Sequence, residues 1–226
     1  MGLFYFWFGM DPVQLTSRIC YLPASPDPLS ADVIAVRGDG AWWIFDVGSC
    51  DGAVEFINGL DLSLRKNIVI SHFHADHMEN LVRALHGEIE MYYDNLYVGA
   101  YTYRHAKSGT VVVQPLEFED GARIKILPVP SSHAKGSLAL IVDDEYAFLG
   151  DSTYPTVGHG EADSYNVQLL YEQIKFISSL PMDSLYLSHK KGLRRERESV
   201  LSVLKSVYDR RGKNENRIYM TRGPGQ

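Results

Sequence analysis

The chain carries the sequence IVISHFHADH at residues 68–77, where an apolar β-branched run leads into three histidines and an aspartate. Alternate side chains of a β-strand share one face, so His72 and His74 can point at the same ion. Asp76 and His77 follow at once. Neutral imidazole nitrogens and a carboxylate oxygen suit zinc, and iron or manganese fit the same donor types.

A helix is predicted over residues 79–85, ended by Gly87, so Asp76 and His77 are expected at the turn between strand and helix. There they can face the same ion site as the strand histidines. The alternative is a set of polar surface residues at a strand end. So dense a group of donors favours a metal site, although this motif alone leaves the number of ions open.

Composition fits a globular protein of 226 residues with a net charge of −6, which disfavours a nucleic-acid backbone as the main partner. Cys20 and Cys50 lie in no metal-binding spacing, and a reduced, cytoplasmic setting is expected. The apolar start at residues 3–8 is too short to cross a membrane. We expect the aromatic leader 1–12 and the tail 222–226 to be loosely attached, with a homodimer through the leader as one alternative.

Turn residues and apolar periodicity predict one domain over residues 1–226, without repeats or linkers. Strands are predicted at 13–22, 31–37, 41–47, 68–71, 88–93, 123–129, 138–142, 146–149, 184–188 and 217–221. Helices are predicted at 53–60, 79–85, 164–180 and 195–208. The tyrosine-rich segment 95–114 supports either a short helix or a loop over a site.

Three further metal-type donors come directly after predicted strands: His133, Asp151 and His189. The ends of buried strands open onto a common rim, so these side chains are expected beside the first cluster. A catalytic zinc needs three protein ligands and a water. Seven donors are therefore too many for one ion and suit two ions, if one carboxylate bridges them.

The chain resembles the metallo-β-lactamase fold superfamily. His72-x-His74-x-Asp76-His77 matches its HxHxDH signature, and Asp46-Val47-Gly48 matches its early D-x-G strand end. The third histidine motif, the aspartate motif and the last histidine match at His133 with Gly136-Ser137, at Gly150-Asp151-Ser152 and at Leu187-Ser188-His189. The resemblance implies a four-layer αββα sandwich with the metals at one edge.

The resemblance also implies a role for each donor. The first metal takes His72, His74 and His133, the second takes Asp76, His77 and His189, and Asp151 bridges the two. Asp46 either orients a ligand histidine or caps a turn. Ser71, which precedes the first histidine, is interpreted as strand-end structure.

A water shared by two cations loses its proton easily, so the expected function is a dinuclear zinc hydrolase that uses a metal-bridging hydroxide. Asp76 is expected to orient that hydroxide as well as to bind metal. The substrate is predicted to be a small ester, lactone, thioester or phosphoester. Tyr154 and His159, in the loop after Asp151, are candidate substrate contacts.

Two other functions stay open for the same fold, which does not fix a reaction. One is a metal-dependent nuclease, which the acidic balance and small size disfavour. The other is iron chemistry. The intact Asp76-His77 pair disfavours the flavin-linked di-iron branch. A mononuclear iron dioxygenase is harder to distinguish from a hydrolase by these residues. About forty residues follow His189, so we expect no helical substrate domain like that of the glyoxalase II branch, which disfavours a glutathione thioester as substrate.

Overall fold

The computed structural model describes residues 11–158 and 160–220. Two β-sheets pack face to face, and helices cover the outer face of each sheet. This is the four-layer αββα sandwich that the sequence predicts.

The strands and helices follow one another along the chain in this order: β1 (Val13–Gln14), β2 (Ile19–Leu22), β3 (Ser25–Pro26), β4 (Leu29–Ser30), β5 (Val33–Arg37), β6 (Ala41–Phe45), α1 (Asp51–Gly59), β7 (Arg65–Val69), α2 (Ala75–Leu85), β8 (Asn95–Val98), α3 (Ala100–Ala106), β9 (Thr110–Val111), β10 (Leu116–Glu119), β11 (Arg123–Val129), β12 (Ser137–Val142), β13 (Tyr146–Gly150), β14 (Ser164–Asn166), α4 (Val167–Ser179), β15 (Ser184–Leu187), β16 (Arg194–Glu196), α5 (Arg197–Asp209) and β17 (Arg217–Tyr219).

The first sheet has the order β1-β2-β5-β6-β7-β8-β9, and its last four strands run parallel to one another. The second sheet has the order β10-β11-β12-β13-β15-β16, in which only the β13–β15 pair is parallel. A separate two-stranded ladder joins β14 to β17 near the start of α4. Metal-type donors leave both large sheets at the ends of β7, β11, β13 and β15.

Strand β12 illustrates how the sequence builds the layers. All six of its residues are buried, and successive side chains point to opposite faces of the sheet. Leu138 and Leu140 pack between the sheets, where they join Trp43, Phe45 and Phe148. The intervening residues face α4 and α5 and belong to the outer core on that side. A strand buried on both faces accordingly has an unbroken apolar sequence.

Several predicted boundaries differ from the structure. Helix α2 begins at Ala75, four residues before the predicted start, so Asp76 and His77 lie in its first turn. The predicted strand 88–93 does not form; strand β8 begins at Asn95 instead. The segment 95–114 contains α3 between two strands, and β10 was not predicted.

Across the described residues, no helix combines the length and the apolarity that crossing a membrane requires.

Replacing Phe148 with alanine should lower the free energy of unfolding by about 3–5 kcal/mol, because it removes a ring that fills the space between the sheets. Phe148 is 1% exposed. Urea denaturation measures the loss, and Leu62→Ala, at a site 75% exposed, is the matched control. A loss below about 1 kcal/mol for the phenylalanine variant would contradict this packing.

Candidate metal centre

The first sheet delivers four of the predicted donors to one edge. His72 and His74 follow β7, and His74 is the residue that directly precedes α2. Asp76 and His77 then lie in the first turn of that helix, where the amide dipoles favour a carboxylate. The short interval between strand and helix therefore places all four side chains at the same edge of the sheet.

The second sheet delivers the other three donors. His133 lies in the connection from β11 to β12, Asp151 follows β13 directly, and His189 lies two residues after β15. The sheets touch at Ser71, whose carbonyl accepts a hydrogen bond from Leu138 N at 2.8 Å. Gly150 makes this approach possible, because an added Cβ would lie 2.8 Å from the Ser71 side chain and φ is +54°.

All seven predicted donors converge, and they form two groups. Within each group the ligand atoms lie within 4.8 Å of one another: His72, His74 and His133 in the first, and Asp76, His77, Asp151 and His189 in the second. Asp151 also reaches the first group, since its Oδ2 lies 3.5 Å from His133 Nε2 and 3.4 Å from His77 Nε2. A carboxylate so placed can bridge two ions.

Four buried polar atoms of this cluster have no hydrogen-bond partner among the described residues: Nε2 of His72, His77 and His133, and Oδ1 of Asp151. Buried polar atoms are nearly always paired, since leaving one unpaired costs free energy. Imidazole nitrogens and carboxylate oxygens, here divided between the two groups, are the donors that zinc, iron or manganese takes. The residues therefore fit a metal.

Hydrogen bonds at Nδ1 leave Nε2 free on three of the histidines. His133 Nδ1 donates to the carbonyl of Pro155 at 2.9 Å, and His77 Nδ1 donates to Asp46 Oδ2 at 2.7 Å. Ser71 Oγ donates to Asp46 Oδ2 at 2.8 Å and lies 2.9 Å from His72 Nδ1, from which it can accept. These contacts occupy Nδ1 of each ring, so Nε2 is the atom that can bind a metal when it carries no proton.

Asp46 is fully buried and supports both groups, directly at His77 and through Ser71 at His72. Its Oδ1 accepts a third hydrogen bond from Ser71 N at 2.7 Å. These contacts would allow Asp46 to orient both histidines, and that role stays a prediction. Ser71, interpreted from sequence as strand-end structure, belongs to the same network.

Without metal, His72 and His74 of the first group resist protonation. Burial lowers the pKa of His72 well below its ordinary value, and the neighbouring histidines lower it further. Burial and His133 lower the pKa of His74 to about 4. These rings are therefore neutral, and ready to bind a cation, across the physiological range.

The second group holds protons more firmly. Burial alone lowers the pKa of His77, but the Asp46 and Asp151 carboxylates outweigh burial and raise it well above the ordinary value. The hydrogen bond of His189 Nε2 to Asp76 Oδ2, at 2.9 Å, raises the pKa of His189. A cation entering this group must therefore displace protons.

Two residues fix the position of His189. Asp32, 3% exposed, accepts a hydrogen bond from His189 N at 2.9 Å, which helps to hold the residue at a left-handed φ of +59°. Tyr154, a candidate substrate contact, donates its hydroxyl to the Ser188 carbonyl at 2.6 Å. A substrate role for Tyr154 stays a prediction. Asp32 carried no sequence signal, and His159 lies outside the described residues.

No family model matches the chain, and no curated protein matches it. Solved structures do. A metallo-β-lactamase from Pontibacter korlensis is 11% identical, with a TM-score of 0.63 over 90% of this chain and 100% of that one. An archaeal metallo-β-lactamase superfamily protein from Sulfolobus tokodaii is 18% identical, with a TM-score of 0.56 over 89% and 90%. A flavo di-iron protein variant from Thermotoga maritima is 17% identical, with a TM-score of 0.65 over 91% and 63%.

The chain has the metallo-β-lactamase fold. Its histidine–aspartate cluster lies at the edge where the two sheets meet, and cluster and fold together support a metal cofactor.

Asp46→Asn should weaken metal binding about 10–100-fold. An amide has one acceptor oxygen, so its NH₂ group must face either Ser71 N–H or His77 Nδ1–H, both of which need an acceptor. A titration against a competing chelator measures the affinity. Asp51→Asn is the control, because that side chain is 80% exposed and only pairs with Arg83 at the surface. Equal affinities in the two variants would contradict the orienting role of Asp46.

Acidification should remove the metal of the second group before that of the first, because protons compete for raised-pKa His77 and His189 while His72 and His74 stay neutral. Metal content after dialysis at descending pH should therefore fall in two steps. His189→Ala should retain only the step at lower pH. A single step that removes both metals together would contradict the assignment.

Proposed function

We propose that the protein is a dinuclear metal-dependent hydrolase of small esters, lactones, thioesters or phosphoesters. The observation that carries the proposal is the pair of adjacent donor groups, which contain buried atoms without a hydrogen-bond partner among the described residues and meet where Asp151 lies 3.5 Å from His133. His72, His74 and His133 would hold the first metal. Asp76, His77 and His189 would hold the second, with Asp151 between them.

Two such ions, when bound, supply an activated water nucleophile and a Lewis acid for the carbonyl or phosphoryl oxygen of the substrate. Zinc is the proposed metal, and the same donors accept iron or manganese. The protein contributes fixed tautomers on His72, His77 and His133, which the contacts of Ser71, Asp46 and Pro155 maintain. It therefore needs no reorganisation of these rings during a reaction.

Asp76 is the proposed catalytic carboxylate. Its side chain is 16% exposed and its Oδ2 lies 2.9 Å from His189 Nε2 and 3.5 Å from His77 Nε2. Burial raises the pKa of Asp76, but the His189 hydrogen bond and the charges of His77 and His189 together outweigh burial and lower that pKa, which keeps the carboxylate ionised. An ionised carboxylate at the opening can accept a hydrogen bond from the attacking water and orient it.

A small-molecule substrate and a cytoplasmic setting complete the proposal. Cys20 and Cys50 are free thiols, in keeping with a reducing compartment. A homodimer formed through the aromatic leader stays a prediction, because residues 1–10 of that leader lie outside the described part of the chain.

His74→Ala should reduce hydrolysis by about 10³-fold or more, since metal catalysis contributes several kcal/mol and each 1.4 kcal/mol is a factor of ten. The assay is a panel of chromogenic ester, lactone, thioester and phosphodiester substrates, with and without chelator. His86→Ala is the matched control, because that side chain is 67% exposed and lies outside the cluster.

Metal content of the purified protein is the second arm of this test. Two zinc ions per chain and chelator-sensitive hydrolysis support the proposal. One iron per chain with oxygen consumption would replace it with iron chemistry. Hydrolysis that neither chelator nor His74→Ala affects would show that the cluster is not the catalytic site.

A further inference from the structure

A pocket of about 280 Å³ opens beside the first donor group. His133, a donor of the first group, lines it together with Phe73, whose ring centre lies 5.1 Å from that of His74. Tyr101, Lys135, Asn166 and Arg217 line it as well. We call this space the basic pocket, because the two exposed cations Lys135 and Arg217 line it beside His133.

The charges in the basic pocket have one sign. Lys135 and Arg217 line it, and no aspartate or glutamate does. Within residues 11–158 and 160–220, neither cation lies within 4 Å of a carboxylate oxygen, although many other surface cations do. Lys135 Nζ instead lies 5.8 Å from the centre of the Tyr101 ring. The pocket therefore lacks an internal counter-charge.

The backbone around Arg217 is held firmly. The β14–β17 ladder pairs Arg217 with Asn166, and Val167 N donates to the Asn216 carbonyl at 3.0 Å. Asn166 also caps α4, since its side chain accepts from Leu169 N at 3.0 Å. The positive end of this 13-residue helix consequently lies at the pocket and adds to the potential of the two cations.

The size of the basic pocket limits what can enter it. Pockets that enclose drug-sized ligands usually measure about 300–1,000 Å³, so this one fits a short substituent rather than a polymer. Phe73, Tyr101 and Leu169 supply apolar walls for a few methylene groups. A short chain that ends in a negative charge matches both the walls and the cations.

We propose that the basic pocket binds an anionic group, a carboxylate or a phosphate, on the part of the substrate away from the bond that is cleaved. Lys135 and Arg217 are the residues that recognise this charge. The inference rests on the proposed function, because it takes the adjoining metal centre as the place of hydrolysis. It narrows the substrate to small anionic esters, lactones or thioesters.

The test compares two chromogenic esters of equal chain length, the mono-4-nitrophenyl ester of glutaric acid, which is anionic, and neutral 4-nitrophenyl pentanoate. The ratio of interest is kcat/KM for the anionic ester divided by kcat/KM for the neutral ester. Replacing both Lys135 and Arg217 with glutamine should lower this ratio about 10–100-fold, the size expected for loss of charge-assisted hydrogen bonds. Lys175→Gln with Lys205→Gln, on the outer helices, removes the same charge and should leave the ratio unchanged.

Calorimetry on the metal-loaded protein gives a readout that does not depend on turnover. Pentanoate and butylphosphonate are the probes, because neither carries a bond that the enzyme would hydrolyse, and their relative affinities tell a carboxylate site from a phosphate-type site. Binding of the preferred probe should weaken about 10–100-fold in the Lys135/Arg217 variant and stay unchanged in the Lys175/Lys205 variant. Thermal unfolding confirms that each variant is folded.

The outcomes separate the two proposals. Weaker probe binding without hydrolysis of any substrate would sustain the basic pocket and overturn the hydrolase. Hydrolysis with an unchanged ratio and unchanged probe binding would overturn the basic pocket and sustain the hydrolase. Salt-sensitive cleavage of a single-stranded oligonucleotide that depends on Lys135 and Arg217, with no binding of either small probe, would overturn the small-substrate inference in favour of a nuclease.

Discussion

The buried carboxylate of Asp46 is the constraint on which the rest of the metal centre depends. A carboxylate without exposure to water is tolerated only if hydrogen bonds surround it. Asp46 receives them from Ser71 N, Ser71 Oγ and His77 Nδ1. These bonds join the residue after β6 to the end of β7 and to the first turn of α2. Because the same bonds set the His77 and His72 tautomers, the interaction that satisfies Asp46 also prepares the cluster for a cation.

The second sheet is joined to the metal centre by another local contact, again at Ser71. Ser71 meets Gly150 and Leu138, so the strand ends of the two sheets lie side by side at one edge of the sandwich. Asp151 follows Gly150 directly and reaches both donor groups. A bound cation would therefore join residues of both sheets, and its binding free energy would add to the stability of the folded chain. The strained φ of +62° at Asp46 and +59° at His189 fits a site whose surroundings hold each residue in place.

The convergence of the seven donors could be predicted from sequence because the motifs that carry them follow apolar strands, and strand ends are readable from local pattern. The start of α2 was misjudged, since Asp76 and His77 were interpreted as turn residues although a carboxylate also suits the first turn of a helix. The predicted strand at 88–93 does not join a sheet although Met91 is buried, because Asn58 takes up its backbone: the Asn58 amide donates to the Glu90 carbonyl and accepts from Tyr92 N. Asp32 could not be found from pattern, since it accepts a backbone N–H from a residue 157 positions away.

Local motifs identify the metal donors, whereas substrate specificity depends on residues that the fold brings together from distant parts of the chain. The donors occupy short motifs, whereas the basic pocket assembles Phe73, Tyr101, Lys135 and Arg217 from four separate parts of the chain. A change at any of these four positions would alter what enters the pocket without touching a metal donor. Chains that keep one donor set can therefore act on different substrates, which is why the fold alone does not fix a reaction. In the proposed function, the charge of the pocket beside His133 would restrict the substrate more narrowly than the seven donors do.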